Sequence, residues 1–203
     1  MNFLDKIRNN KILNDIINNT TTQDLSNIYL VGGCIRDFIL GKENSDKDII
    51  ADIDNPKQYA QDLSEKLDAT FIELDNENKI YRLVLKDKKN MIDIAAIIGN
   101  NIQEDLERRD LTINSIAVNL KSFEILDPNN GLKDIENKII KHISEQNIID
   151  DPIRVLRAFR FRSTLGFDIE PTHFDLLAKY YQNMSKCSQE RINQEIIKLF
   201  GGK

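Results

Sequence analysis

Cysteine and histidine are scarce in this chain, with 2 of each among 203 residues. Cys34 and Cys187 are too few and too far apart to frame a disulfide network or a zinc site, so free thiols in a reducing compartment are expected. His142 and His173 have no companions at ligand spacing. Long apolar runs are missing as well. None approaches the roughly 20 residues of a membrane span, and the opening Met-Asn-Phe-Leu-Asp-Lys has no secretory apolar segment, so the expected location is cytoplasmic. Positive charge is in deficit: 28 Lys and Arg face 33 Asp and Glu, for a net charge of −5. A surface that attracts nucleic acid everywhere is thereby excluded, and any RNA contact has to be local. Basic residues do cluster at Arg108-Arg109 and along Arg154, Arg157, Arg160 and Arg162.

What is present fits a globular chain, 40% hydrophobic and 30% charged with few prolines and no internal repeat. Its length allows one ordinary core, or one domain with a helical extension. The stretch Ile28–Ile50 organises the rest. It reads as a short apolar strand (Ile28–Val31), the turn Gly32-Gly33, a helix ending at Gly41, and a second strand opening with Asp46 and Asp48. Strand alternation sends Asp46 and Asp48 to one face, where their repulsion calls for water or a divalent cation. Two residues without a Cβ let backbone approach a ligand, and the start of the helix favours an anion. Either half alone has a plain alternative, a tight turn or a chance Asp-x-Asp. In this order they describe a cradle for a Mg²⁺-nucleotide.

Gly32-Gly33-x-x-Arg36-Asp37 followed by Asp46-x-Asp48 resembles the first motif of the class II tRNA nucleotidyltransferases (CCA-adding enzymes) and bacterial poly(A) polymerases, a branch of the polymerase β superfamily. Arg108-Arg109-Asp110-x-x-x-Asn114 is similar to a second motif of that family, and Asp150-Asp151-x-x-Arg154-x-x-Arg157-x-x-Arg160 to a third, with Asp150 where the family has Glu. The resemblance implies an α+β fold. A polymerase β-like nucleotidyltransferase head, with a mixed, mostly antiparallel sheet backed by helices, would precede a short all-helical neck. The expected divisions are an N-terminal helix (1–20) packing on the head, the catalytic head (21–145) and the neck (146–203).

Along the chain, Phe3–Asn19 has the spacing of one amphipathic helix, and Thr20–Asn27 that of a polar connector. Asn55-Pro56 opens a helix that runs to about Asp68. Thr70–Leu74, Ile80–Leu85 and Met91–Ile97 read as strands of an antiparallel meander. Asp93 is costly in its apolar strand unless paired. A salt bridge would serve; a metal site on the neighbouring strand would make it a third carboxylate near the cations. Asp127–Asp134 is a turn that launches a helix. From Asp150 the pattern is helical, with Asp151 placed as an N-cap before Pro152. Thr172–Gln182 and Ser188–Phe200 read as two further helices.

The implied reaction is Mg²⁺-dependent, template-independent attack of a tRNA 3′-hydroxyl on the α-phosphate of CTP or ATP. The catalytic carboxylates would be Asp46, Asp48 and Asp93, with Asp46 and Asp48 as metal ligands. Gly32, Gly33, Arg36, Asp37, Arg109, Asp110, Asn114, Asp151, Arg154, Arg157 and Arg160 would bind the nucleotide. Arg109 would hold triphosphate oxygens, with Asp110 and Asn114 holding Arg109 or the ribose. Asp151 and Arg154 would face the base edge. Addition of C and A together, or of either alone, fits this reading. Poly(A) synthesis is an alternative within the enzyme class. A non-catalytic nucleotide- or RNA-binding subunit of a split enzyme, with a partner subunit holding the tRNA, is an alternative outside it.

Overall fold

In the computed structural model, which describes residues 2–42 and 44–201, the segment bearing Asp46 and Asp48 is the central strand of a seven-stranded sheet. Gly202 and Lys203, with which the sequence closes, lie outside the described residues. The chain divides into two compact units, Met1–Leu106 with Ile116–Leu126, and Glu107–Ser115 with Asp127–Lys203. The sequence pattern instead places the division at 145/146.

The first unit opens with α1 (Phe3–Arg8) and α2 (Lys11–Asn19), where the spacing predicts a single helix. The interruption is chemical. Asn10 is extended, and its side-chain oxygen accepts the Leu13 N–H at 3.1 Å, which starts α2 afresh. Thr21 caps the short α3 (Thr22–Leu25) in the same way, within the expected connector. Next come β1 (Ile28–Val31), α4 (Gly33–Leu40), β2 (Asp46–Ala51) and α5 (Pro56–Lys66), close to the predicted boundaries. The strands β3 (Thr70–Asp75), β4 (Ile80–Val84) and β5 (Met91–Ala96) form the expected meander. Then α6 (Ile102–Glu107) leads on to the short strands β6 (Ala117–Asn119) and β7 (Ile125–Leu126), which carry too few residues to show a periodicity.

The strand order is β3-β4-β5-β2-β1-β6-β7. β1 is antiparallel to both β2 and β6, while β2 runs parallel to β5 with Asp48 opposite Asp93. Val31, Ile50, Ile102, Leu106 and Ala117 form a buried cluster that Tyr29, Ala95, Ile97 and Leu126 help to cover. A buried aliphatic side chain of this size contributes roughly 1.5–3 kcal/mol. Burying one face of the central strands fixes their register, because a slip by one residue would turn Asp46 and Asp48 inward.

In the second unit a 3-10 turn, Thr112–Asn114, precedes α7 (Gly131–Asn137). Both carboxylate oxygens of Asp127 cap this helix, accepting from the N–H groups of Gly131 at 2.7 Å and Leu132 at 2.9 Å. It continues with β8 (Ile139–Ile140), α8 (Glu145–Asp150), α9 (Arg154–Leu165), β9 (Asp168–Ile169), α10 (Pro171–Tyr180) and α11 (Gln189–Gly201). Helices dominate, with β8 and β9 adding a two-residue parallel ladder. The helix expected to begin at Asp150 is divided: Asp150 ends α8, and Asp151 is extended. Asp151 closes α8 through its N–H to the Asn147 carbonyl, and its own carbonyl accepts the Arg154 N–H at 3.1 Å. Its side chain caps nothing and instead takes a hydrogen bond from Arg191 at 2.8 Å. Among the described residues no helix is long and apolar enough to cross a membrane.

Candidate active site

Gly32 has φ 74° and ψ −143°, a conformation open essentially to glycine alone, and with it the chain turns from β1 into α4. Its N–H reaches the Ile116 carbonyl at 3.1 Å, which fastens the turn to the segment entering β6. A Cβ on Gly33 would stand 3.2 Å from the Arg36 guanidinium, so the arginine lies folded against bare backbone. Arg36 is itself buried and donates through Nε and Nη2 to Asp37 Oδ1 at 3.0 and 2.9 Å. Asp37 Oδ2 accepts from Asn44 Nδ2 at 2.7 Å, and Asn44 Oδ1 accepts the Asp46 N–H at 2.7 Å. A continuous relay, Arg36–Asp37–Asn44–Asp46, therefore ties the glycine turn to the first residue of β2.

On β2, Asp46 and Asp48 are half-buried while Lys47 between them is fully buried. Burial lowers the Lys47 pKa, against the raising pull of the Asp46, Asp48 and Asp37 carboxylates. Burial also pushes the Cys34 thiol up to about 12, so it stays protonated and is no nucleophile. Asp93 stands beside Asp48 in the parallel ladder, with Arg82 on its other side. Arg82 grips it through Nε and Nη2, both at 2.7 Å. The carboxylate that looks costly in an apolar strand is thus met by the salt bridge left open at the sequence level. Among the described residues no group of three His, Cys, Asp or Glu side chains is arranged to hold a metal ion. Two carboxylates fit Mg²⁺ nonetheless, because that ion characteristically takes one or two protein carboxylates and completes its shell with water and phosphate oxygens.

The second unit gathers the other predicted residues. Asp110 is buried and accepts from Leu111 N, Asn114 Nδ2 and Arg157 Nε, at 2.8, 3.1 and 2.7 Å. Burial works to raise its pKa, but the Arg157 charge and these hydrogen bonds prevail and hold it at about 2. Asp110 therefore anchors Arg157 and Asn114, and Arg109 Nη1 reaches the Asn114 carbonyl at 3.4 Å. Arg154 Nη1 donates to the Arg109 carbonyl at 3.0 Å, and burial lowers its pKa. Arg157 Nη1 and Arg160 Nε lie 3.4 and 3.0 Å from the carboxylate of the buried Glu195. The arginine row that could read as a solvated basic face is consequently a braced array.

Residue type alone does not single out Asn44, Lys47, Arg82, Asn147 or Glu195. Asn147 Nδ2 donates to the carbonyls of Glu107 and Arg109, both at 2.8 Å, and so pins the segment carrying Arg109. Only the alternation of β2 gives a signal for Lys47, since it points the same way as the apolar Ile49.

The model of the poly A polymerase head domain matches residues 28–99 and 96–141 of this chain. A CC-adding tRNA nucleotidyltransferase of Geobacter sulfurreducens is 32% identical over 171 residues, covering 84% of this chain and 40% of the relative. A CCA-adding enzyme of Streptococcus suis is 31% identical over 182 residues, covering 84% and 45%. Among solved structures, a CCA-adding enzyme in complex with CTP superposes with a TM-score of 0.87 at 29% identity, covering 99% of this chain and 50% of that one. The Thermotoga maritima CCA-adding enzyme complexed with tRNA gives 0.79 at 28% identity, covering 94% and 50%. This chain spans half or less of the length of these proteins. Matched by that model over most of the first unit and into the second, the chain belongs to the poly A polymerase head-domain family.

Proposed function

We propose that the chain catalyses nucleotidyl transfer to the 3′ end of tRNA, with CTP, ATP or both as donors. The observation that carries this reading is the relay from the glycine turn through Asp37 and Asn44 to Asp46, which holds a bend suited to phosphate beside an acidic strand. Mg²⁺ held by Asp46 and Asp48 would lower the pKa of the attacking hydroxyl and neutralise charge on the leaving pyrophosphate. The chain's own groups position the reactants. Arg36 and the N-terminus of α4 favour the triphosphate, and Arg82 keeps the Asp93 carboxylate in place beside Asp48.

Base choice falls to Asp151 and Arg154. Cytosine and adenine each present an amino donor next to a ring-nitrogen acceptor, which a carboxylate and a guanidinium complement; uracil and guanine reverse that order. Arg154 uses one nitrogen on the Arg109 carbonyl and has further donors to offer. Arg157 and Arg160, fixed by Asp110 and Glu195, brace the array from which Arg154 projects.

The test is extension of tRNAs ending at the discriminator base, at C and at CC, each with one labelled nucleotide and Mg²⁺. Incorporation of C or A that disappears in Asp46→Ala supports the reading, and the accepted substrates distinguish CC, A and CCA addition. A-tailing of unrelated RNAs would favour poly(A) synthesis instead. A well-folded protein that extends none of these RNAs is not a transferase by itself.

A further inference from the structure

The largest fully buried side chain among the described residues is a lysine placed between two carboxylates. Lys47 is 1% exposed and leaves β2 on the face opposite Asp46 and Asp48. Its ammonium donates to the Asn44 carbonyl at 2.5 Å and lies 5.8 Å from the centre of the Phe38 ring. Asn44 is the residue whose side chain joins Asp37 to the Asp46 N–H. An apolar side chain would occupy this position without the desolvation cost of an ammonium ion. What lysine adds is a fixed positive charge within the field of Asp37, Asp46 and Asp48.

We propose that Lys47 is a built-in counter-charge for the Asp46–Asp48 pair. It steadies the two carboxylates against each other when no metal is bound, and it limits how tightly a divalent cation is held. A site that must exchange its cation along with pyrophosphate gains from that limit. Lys47 is a positioning residue, set behind the strand and away from substrate. The inference rests on the reading of Asp46 and Asp48 as metal ligands.

Two roles can be separated by substitution. Lys47→Gln can still donate to the Asn44 carbonyl but carries no charge; Lys47→Met loses both. Mn²⁺, which accepts the same oxygen ligands, would be titrated into the full chain while water-proton relaxation is followed, with Mg²⁺ as competitor and Asp46→Asn as control. Lys47→Gln should bind Mn²⁺ about tenfold more tightly than the wild type, the size expected for one charge acting on a divalent ion through partly screened protein. Lys47→Met should bind more tightly as well, and either variant suffices if the other does not fold. A residue that merely fills space would leave the affinity unchanged, and unchanged or weaker binding by folded Lys47→Gln overturns the counter-charge. Wild-type protein showing no Mn²⁺ binding that Asp46→Asn removes would instead overturn the metal site itself.

Discussion

Two buried groups of the second unit, His142 and Asp110, lose stabilising power in acid over separate ranges. His142 is 1% exposed; its Nε2 lies 3.2 Å from the Arg154 carbonyl, and its ring stacks on His173. Burial lowers its pKa from 6.5 to about 4, with Asp110 opposing the shift and the charges of His173 and Arg154 adding to it. The folded protein thus refuses a proton that the unfolded chain accepts, and stability falls as pH drops from 6.5 toward 4. That loss amounts to roughly 3 kcal/mol. Asp110 acts lower down. Its stabilisation is complete above its ordinary value of 3.8 and is lost as pH falls through about 2. Urea unfolding at pH 7 and pH 4 should show the difference between the two shrinking by roughly 3 kcal/mol in His142→Gln; an unaltered difference would mean that the folded protein takes up a proton on His142 as readily as the unfolded chain does. In the proposed function, base selection also falls to single side chains. Arg154→Ala should narrow the preference for CTP and ATP over UTP and GTP by about two orders of magnitude or more while metal-dependent turnover falls less, as competition assays with the four triphosphates would show. Discrimination kept intact would remove Arg154 from the base edge.

At the scale of elements, the joint between α4 and β2 matters most, because Asn44 connects Asp37, the Asp46 N–H and the Lys47 ammonium. Asn44→Ala removes the partners of the first two, at a cost of about 1–2 kcal/mol. Urea unfolding should record that loss, and the Mn²⁺ titration should show weaker binding, because Asp46 loses the acceptor that fixes its main chain. A loss of stability with metal binding untouched would make Asn44 a purely structural link. Elements of this kind were legible wherever local chemistry decides them. Gly32-Gly33 and Gly41 bound α4, Asn55-Pro56 opens α5, and apolar alternation marks the meander. The sequence pattern misled where local backbone breaks override periodicity: Asn10 caps a new helix inside the expected first one, and Asp151, extended and without a capping side chain, separates α8 from α9.

At the scale of the whole molecule, long-range pairing hid what the motifs could not tell. The Gly-Gly turn and the Asp-x-Asp were visible because they are short and contiguous. Asp93 next to the acidic strand was anticipated as well, but its partner Arg82 was not, since that pairing exists only once β4 and β5 are in register. In the same way Asp110 meets Arg157, and Glu195 meets both Arg157 and Arg160, across dozens of residues. A carboxylate in the sequence carries no label for the arginine that will neutralise it, so the pairing of Asp110 with Arg157 came to light only in the fold.

The order of strands has a consequence for how the protein is made. β1 takes one neighbour from Asp46–Ala51 and the other from Ala117–Asn119, while β2 waits for Met91–Ala96. A polypeptide emerging from the ribosome therefore exposes its paired aspartates on a ribbon with an open edge, and cannot close that edge until some 45 residues beyond Ala51, through Ala96, have left the exit tunnel. The acidic pair is translated well before the strand that locks it in place.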